Sequence, residues 1–471
     1  LIMILIMALL DTIGVASILP FVAVLTKPSL IETNFILNTM FQISSIFGVE
    51  TNHHFLVALG LLVFALLIIS LTFKCLTTYA QIRFVQMREY TIGKQLLEGY
   101  LHQSYSWFLN RHSADLGKNI LSEVQTIISS GLTPLMDLIS KGVVTIALIT
   151  LLVVADPKLA LLLSLSLGSS YLIIFYFVRN YLDRTGQKRL KNNSQRFKVV
   201  NEAFGAVKEI QVGGLEQIYI DNFSNAAHIF ARTQAIAKII NQVPRFILEA
   251  TAFGGILLMI IYLLAQTGGF VSALPIVSLY VFAGYRLMPL LQTIYASFAQ
   301  LTFIGPSLNK LHDDLKSLKP FNKNQDPGVL SFNKKIVLKN IHYNYPNSSR
   351  TALKDISLSI SAKSFVGLVG ATGSGKTTLV DIILGLLETY KGTLEVDGKV
   401  ITNQNTRSWQ RSIGYVPQHI YLSDDTVAAN IAFGVDSKNI NQEAVKKSAQ
   451  IANLHNFVID DLPKQYQTTH W

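Results

Sequence analysis

The chain has one cysteine and three tryptophans in 471 residues, and only 15% of its residues are charged. A lone cysteine excludes an intrachain disulfide. Cys75 adjoins an apolar run with no histidine beside it, so it reads as an inert thiol. The charge content is well below the quarter or so usual in soluble domains. Half of the residues are hydrophobic, and mean hydropathy is +0.37. These figures exclude a disordered chain and an ordinary water-soluble globule. The opening run does not read as a leader. The first apolar run, 1–26, has no initiator Met and no basic segment before it, and it is too long for a signal-peptide core. It reads as a membrane span whose preceding residues are missing.

Charge is also unevenly spread. Residues 1–329 are 13% charged and residues 330–471 are 18% charged. That predicts a long membrane part followed by a shorter soluble part. The net charge is +11. Much of it flanks apolar spans, as in loops that face anionic lipid, which argues against nucleic acid as a partner.

Six spans are expected. Residues 55–73 and 159–178 carry no charge. The uncharged stretch 250–285 is split by Gln266-Thr267-Gly268-Gly269 into two spans. Residues 142–155 form another, extended backward as helix to about Val124, and 1–26 completes the set. Basic residues set the orientation. The 83–118 connection holds Arg83, Arg88, Lys94, Arg111 and Lys118, and 179–208 holds eight basic residues. The opposite connections hold almost none. Both basic connections are therefore assigned to the cytoplasm, as helical continuations of the spans, and the C-terminal part lies on the same side.

The outer connection 27–54 places Ile36, Met40, Ile43 and Phe47 at helical spacing, with Asn38, Thr39, Gln42 and Ser45 between them. This is an uncharged amphipathic helix, suited either to the membrane interface or to packing on the spans. His53-His54 reads as a polar loop pair, with no cluster beside it to hold a metal. A linker rich in Lys, Asn, Ser and Pro follows the last span, with a turn at Asp326-Pro327-Gly328. The domain division is placed at 1–325 and 326–471.

Chemistry is concentrated in Gly370-Ala371-Thr372-Gly373-Ser374-Gly375-Lys376-Thr377, a phosphate-binding loop pattern. Phe365–Val369 before it predicts a short buried strand, and Thr378–Leu384 after it predicts a helix. In such a loop consecutive backbone N–H groups face a phosphate, and the helix N-terminus adds positive potential. Lys376 would reach the β- and γ-phosphates of ATP, and Thr377 would ligate Mg²⁺.

With these residues the chain resembles the ATP-binding cassette family. Tyr343-Asn344-Tyr345-Pro346 is similar to the family's aromatic loop, which implies that Tyr345 stacks on adenine. The residues themselves also allow a half-buried strand tyrosine. Leu353–Leu358 is similar to the strand leading into the phosphate loop, and Gly392–Gly398 to the following hairpin. Ile413–Gln418 resembles the strand ending in the glutamine loop, which implies that Gln418 meets Mg²⁺ or the attacking water. The resemblance implies an ATP-binding set of Tyr345, Gly370 through Thr378, and Gln418. The family's signature segment, general-base Glu and switch His are expected beyond Trp471, so no catalytic base is assigned in this chain. Phe457–Asp461 mimics an apolar strand ending in two carboxylates. Leu462-Pro463 after it matches instead a helix end, with Asp460 and Asp461 solvated.

The implied fold is an all-α six-helix transmembrane domain followed by the N-terminal half of an α/β P-loop nucleotide-binding domain, truncated at both ends. The resemblance further implies a type I exporter half-transporter working as a dimer of two copies, or as a heterodimer. The stretches 105–115 and 204–216 would be its coupling helices. It implies an ATP hydrolase coupled to transport in a bacterial cytoplasmic membrane, with the nucleotide-binding part in the cytoplasm. Among ionisable residues at membrane depth, Asp137 and Lys141 are spaced to neutralise each other. Arg245 and Arg286 are candidates for gripping a phosphate in the cavity, and Glu249 is a possible partner of Arg245. Leu9–Phe21 and Phe282–Pro289 resemble bacterial flippases of lipid-linked oligosaccharides. That implies an amphiphilic, lipid-linked saccharide as substrate. The alternatives are an exporter of peptides or hydrophobic drugs, and an ATP-binding channel or sensor that does not pump.

Overall fold

The computed structural model describes residues 2–46, 49, 51–155, 157–265, 270–318, 328–346, 348, 350–418 and 420–469. The chain forms two compact units, Leu1–Gln325 and Asp326–Trp471.

The first unit is helical. Its helices are α1 (Ile2–Ala16), α2 (Ile18–Thr26), α3 (Leu30–Thr33), α4 (Phe35–Ser45), α5 (Asn52–Leu101), α6 (Tyr105–Phe108), α7 (Ser113–Lys118), α8 (Val124–Ile127), α9 (Thr133–Ala155), α10 (Pro157–Gly205), α11 (Val207–Gly213), α12 (Glu216–Ala265) and α13 (Phe270–Ser317). Helices α1 and α2 form one span interrupted at Ser17, because Pro20 has no N–H to give the preceding turn. Helices α7 to α9 run as one stretch through two π-helical turns, Asn119–Glu123 and Ile128–Leu132. At 1.5 Å per residue, the 50 residues of α5 reach about 75 Å, more than twice a bilayer core of about 30 Å. Helices α10, α12 and α13 are of similar length. The extension of the spans beyond the membrane, expected from their polar connections, is present.

Over the described residues, four stretches are long and apolar enough to cross a membrane: Ile2–Thr26, Asn52–Leu101, Ser113–Val154 and Leu287–Ser317. The other expected spans fall on α10 and on α12 with the start of α13, where many side chains lie outside the described residues. The expected polar turn at 266–269 lies outside them too.

Helix α13 is the common packing partner. Its Leu287 and Leu290 meet α1 and α9 through Met7, Val15, Val144 and Leu148. Ile304 and Leu311 meet Val85 and Leu96 of α5 and Val124 of α8. Tyr295, Ala299 and Phe303 meet Tyr171 and Leu182 of α10 and Ala237 of α12.

Helix α4 is present, and it buries Leu37 with Met40 and Phe41 half-buried, against Phe55 and Leu59 of α5. Ile36 and Ile43 of the expected face are exposed, and Phe47 lies outside the described residues. The edge-on contact of Phe41 with Phe55 draws a neighbouring face of the helix inward. His53 and His54 are not in a loop. They occupy the first turn of α5, capped by the Thr51 hydroxyl accepting from the His54 N–H.

The second unit opens with β1 (Lys335–Asn344) and β2 (Thr351–Ser361), then α14 (Lys376–Ile383), β3 (Lys391–Val396) and β4 (Lys399–Val400). Helices α15 (Thr406–Gln410), α16 (Val427–Ile431), α17 (Gln442–Ile451) and α18 (His455–Asp460) follow. The strands form one antiparallel sheet in the order β2-β1-β3-β4. Ile336, Leu338, Ile341 and Tyr343 of β1 are buried. The shift from even to odd positions occurs at a bulge, where Asn340 takes a positive φ of 48°. These residues pack with Leu379 and Ile382 of α14 and with Trp409 of α15.

Phe365–Val369 and Ile413–Val416 do not form the expected strands. Both segments are irregular, and Phe365, Val369 and Val416 are almost fully exposed. A strand's hydrogen bonds come from a neighbouring strand, and among the described residues neither segment has one. Asp460 and Asp461 lie at the exposed end of α18, as the Leu-Pro reading expects.

Candidate functional site

The Gly370–Gly375 loop leads directly into α14 at Lys376. Its glycines are required by shape. Gly375 has φ +92°, and a Cβ there would lie 2.7 Å from Leu353 Cδ2 and 2.9 Å from the Ala352 carbonyl oxygen. Gly373 has φ +79°. The loop closes on itself through the Ser374 N–H, which donates to the Ala371 carbonyl at 3.2 Å. Lys376 Nζ donates to the Gly370 and Ala371 carbonyls at 2.8 and 2.9 Å. A flexible ammonium therefore sits over a narrow loop at the start of a helix, a setting that favours a phosphate. Thr372, Gly373, Ser374 and Thr377 are exposed, so the loop is open to a ligand.

Helix α14 is fixed from below. Thr378, Leu379, Asp381 and Ile382 are buried, and burial raises the Asp381 carboxyl above the usual carboxylate range. Its last carbonyls are capped from α15. Trp409 Nε1 donates to Ile383 O at 2.7 Å, and Gln410 Nε2 to Leu384 O at 3.1 Å.

Tyr345 lies just past the end of β1, half-buried. Its hydroxyl is 2.9 Å from Thr378 Oγ1, and its ring meets Tyr343 edge-on at 5.1 Å. The structure thus brings Tyr345 and the loop-to-helix junction together. Gln418 is exposed in the irregular 413–418 segment and makes no hydrogen bond to the loop among the described residues. The oxygen donors of Thr377 and Gln418 suit a hard cation such as Mg²⁺ by type.

At the end of β3, Asp397 accepts from the Asn333, Lys334 and Lys335 backbone N–H groups at 2.7 to 2.8 Å. Those bonds hold its carboxyl below the usual range. Asp397-Gly398, both at positive φ, makes the two-residue turn between β3 and β4.

In the helical unit, Arg245 Nε donates to Glu249 Oε1 at 2.6 Å, within one turn of α12. The Arg286 side chain lies outside the described residues. Two polar clusters were not anticipated. Buried Asp11 accepts from Ser70 Oγ at 2.7 Å and lies 3.8 Å from Lys74 Nζ. Arg189, 1% exposed, donates at 2.8 Å both to Glu123 Oε2 and to Ser307 Oγ, and at 3.0 Å to Thr126 Oγ1. Asn193 Nδ2 donates to the other Glu123 oxygen at 2.8 Å. The available signal was an ionisable residue inside a hydrophobic or helical stretch, which demands a partner. The partner itself lies 66 residues away in sequence.

Residues 18–290 match the family model of the ABC transporter transmembrane region, and residues 353–469 match that of the ABC transporter. The ATP-dependent lipid A-core flippase of Wigglesworthia glossinidia brevipalpis is 25% identical over 384 residues, 78% of this chain. That of Cupriavidus pinatubonensis is 27% identical over 387 residues, 79% of this chain. The chain spans 63% of the length of each. The uncharacterized ABC transporter ATP-binding protein YfiB of Bacillus subtilis is 31% identical over 134 residues, 28% of this chain and 23% of that protein. The structure of a bacterial Atm1-family ABC exporter with ATP bound matches with a TM-score of 0.73 at 18% identity, over 99% of this chain and 78% of the other. The fold is that of such exporters, a helical membrane unit followed by a sheet-containing unit. The transmembrane-region match alone covers more than half of the sequence, and this chain belongs to the ABC transporter family.

Proposed function

We propose that this chain is part of an ATP-driven flippase that moves a lipid-linked saccharide or similar amphiphile across a bacterial cytoplasmic membrane. Residues 1–325 would be its transmembrane domain, and 326–471 the leading part of its cytoplasmic nucleotide-binding domain. One observation carries the reading: the glycine-shaped loop with Lys376 folded over it at the start of α14. In this reading Gly370 through Thr378 hold the phosphates of ATP, and Tyr345 supports the adenine. Thr377 and Gln418 supply oxygen ligands to Mg²⁺, which screens phosphate charge when bound. Lys376 leaves the loop carbonyls to meet the β- and γ-phosphates. Two copies of the chain assemble, as expected for a half-transporter.

The amphiphile class rests on the relatives named lipid A-core flippases and on spans whose outward residues are apolar, such as Leu61, Phe64 and Leu71 of α5. Arg245 and Arg286 are proposed cavity residues. The pairing of Arg245 with Glu249 neutralises one of them, which favours at that position an amphiphile without an anionic head, as in the peptide or drug reading. The test is the ATPase rate of the full-length protein in lipid with lipid-linked saccharides added. Stimulation by one of them supports the reading. A flat response to all of them, with stimulation by a hydrophobic drug, overturns it in favour of the second.

A further inference from the structure

A groove of about 400 Å³ lies between α10 and α13, at the part of α10 beyond its uncharged run 159–178. Gln187, Lys191, Ser194 and Gln195 of α10 line one side, and Pro306 and Lys310 of α13 the other. Among the described residues no carboxylate lines it. Directly behind it, Ser194 Oγ donates to Asp115 Oδ1, and the same oxygen accepts from Lys118 Nζ at 3.1 Å. Lys118 is fully buried, an uncommon setting for an ammonium with three donors and one carboxylate partner. Lys310 lies within electrostatic reach of both Lys118 and Asp115. Two lysines, Lys118 and Lys310, thus act on one carboxylate, and Lys191 lines the same groove. The neighbouring Glu123 is held by Arg189 and Asn193, and it also attracts Lys118.

We propose that this groove is a binding site for a phosphate-class anion, held between Lys191 and Lys310 with Gln195 as a further donor. Such an anion balances the local excess of positive charge and bridges two helices that otherwise approach with like charges facing. Lys191 stands 13 residues past residue 178, the end of the uncharged run, or about 20 Å along the helix. That is deeper than a lipid headgroup layer, so a soluble phosphate or diphosphate is the source expected. The site is separate from the Gly370 loop and does not depend on which substrate is transported.

The test uses the full-length protein carrying Lys376→Ala, which removes phosphate capture by the loop. Pyrophosphate is titrated at constant ionic strength while thermal unfolding is followed. A saturable rise in Tm of a few degrees is expected. It disappears in Lys191→Gln/Lys310→Gln and survives in Lys191→Arg/Lys310→Arg. Ser194→Asp, which puts a carboxylate into the groove, also abolishes it and serves if the double glutamine variant does not fold. No rise, or an equal rise in the glutamine and aspartate variants, overturns the proposal. Nanodiscs of phosphatidylglycerol against phosphatidylcholine separate the sources. A lysine-dependent rise with the anionic lipid alone assigns the site to a headgroup, and a response to pyrophosphate alone assigns it to a soluble anion.

Discussion

Gly186 of α10 lies directly against Phe303 of α13: a Cβ on Gly186 would fall 2.0 Å from the Phe303 carbonyl oxygen. The obstacle is backbone, so it cannot rotate away. Gly186→Ala must push α10 and α13 apart. We expect a loss of about 1–3 kcal/mol or more, as for overpacked cores, read as a lower Tm of the detergent-solubilised protein. Gly142→Ala, where nothing lies within 4 Å of the added carbon, is the control and leaves Tm unchanged or slightly raised.

Three residues further along α10, Arg189 is paired with Glu123 in full burial. Glu123→Gln alone strands a guanidinium and should cost about 3–5 kcal/mol. Glu123→Leu with Arg189→Met removes both charges and should recover most of that loss. A double-mutant cycle on unfolding midpoints measures the coupling. Strict additivity of the single losses would contradict the pairing.

Tyr345 reaches the helix start by its hydroxyl and would meet a base by its ring. The two roles separate. Tyr345→Phe removes one hydrogen bond, worth about 1 kcal/mol, and leaves ATP affinity nearly unchanged. Tyr345→Ala removes the ring and lowers ATP affinity about tenfold or more, on the scale of base stacking. Lys376→Ala abolishes measurable binding. Equilibrium binding of a fluorescent ATP analogue to the full-length protein distinguishes the three.

The Asp397 carboxylate gives a pH prediction. Its folded pKa is lowered by the backbone N–H groups of Asn333, Lys335 and Lys334. The stability it contributes is therefore complete above the unfolded value of about 4 and is lost as pH falls below it. Asp397→Asn keeps the turn, since Asn also tolerates positive φ, but removes the charge. Unfolding midpoints of the full-length protein between pH 6 and pH 3 should show a shallower acid limb for the variant, most visibly below pH 4.

Much of the candidate site was legible because its geometry is local. The glycines at 370, 373 and 375, the following lysine and the helix start are neighbours in sequence, and their backbone angles follow from residue type. Phe365–Val369 was misread because burial of a short apolar run was inferred without a partner strand. Its backbone donors have no neighbour among the described residues to fix them as a ladder. Which apolar residue of α4 packs inward was not legible, because Ile36 and Leu37 are equally apolar. Only the position of Phe55 chooses between them.

By itself the sequence determined the membrane character, the long helices and the phosphate loop, because composition, hydrophobic run length and glycine sterics act within a few residues of each other. The tertiary structure decided which charges meet. Arg189 with Glu123, Asp11 with Ser70, and Lys310 with Asp115 are brought together from distant helices. The physical reason is that a buried charge takes whatever partner the packing of Gly186 on Phe303 and its neighbours places within hydrogen-bond reach, and that placement is a property of the folded bundle.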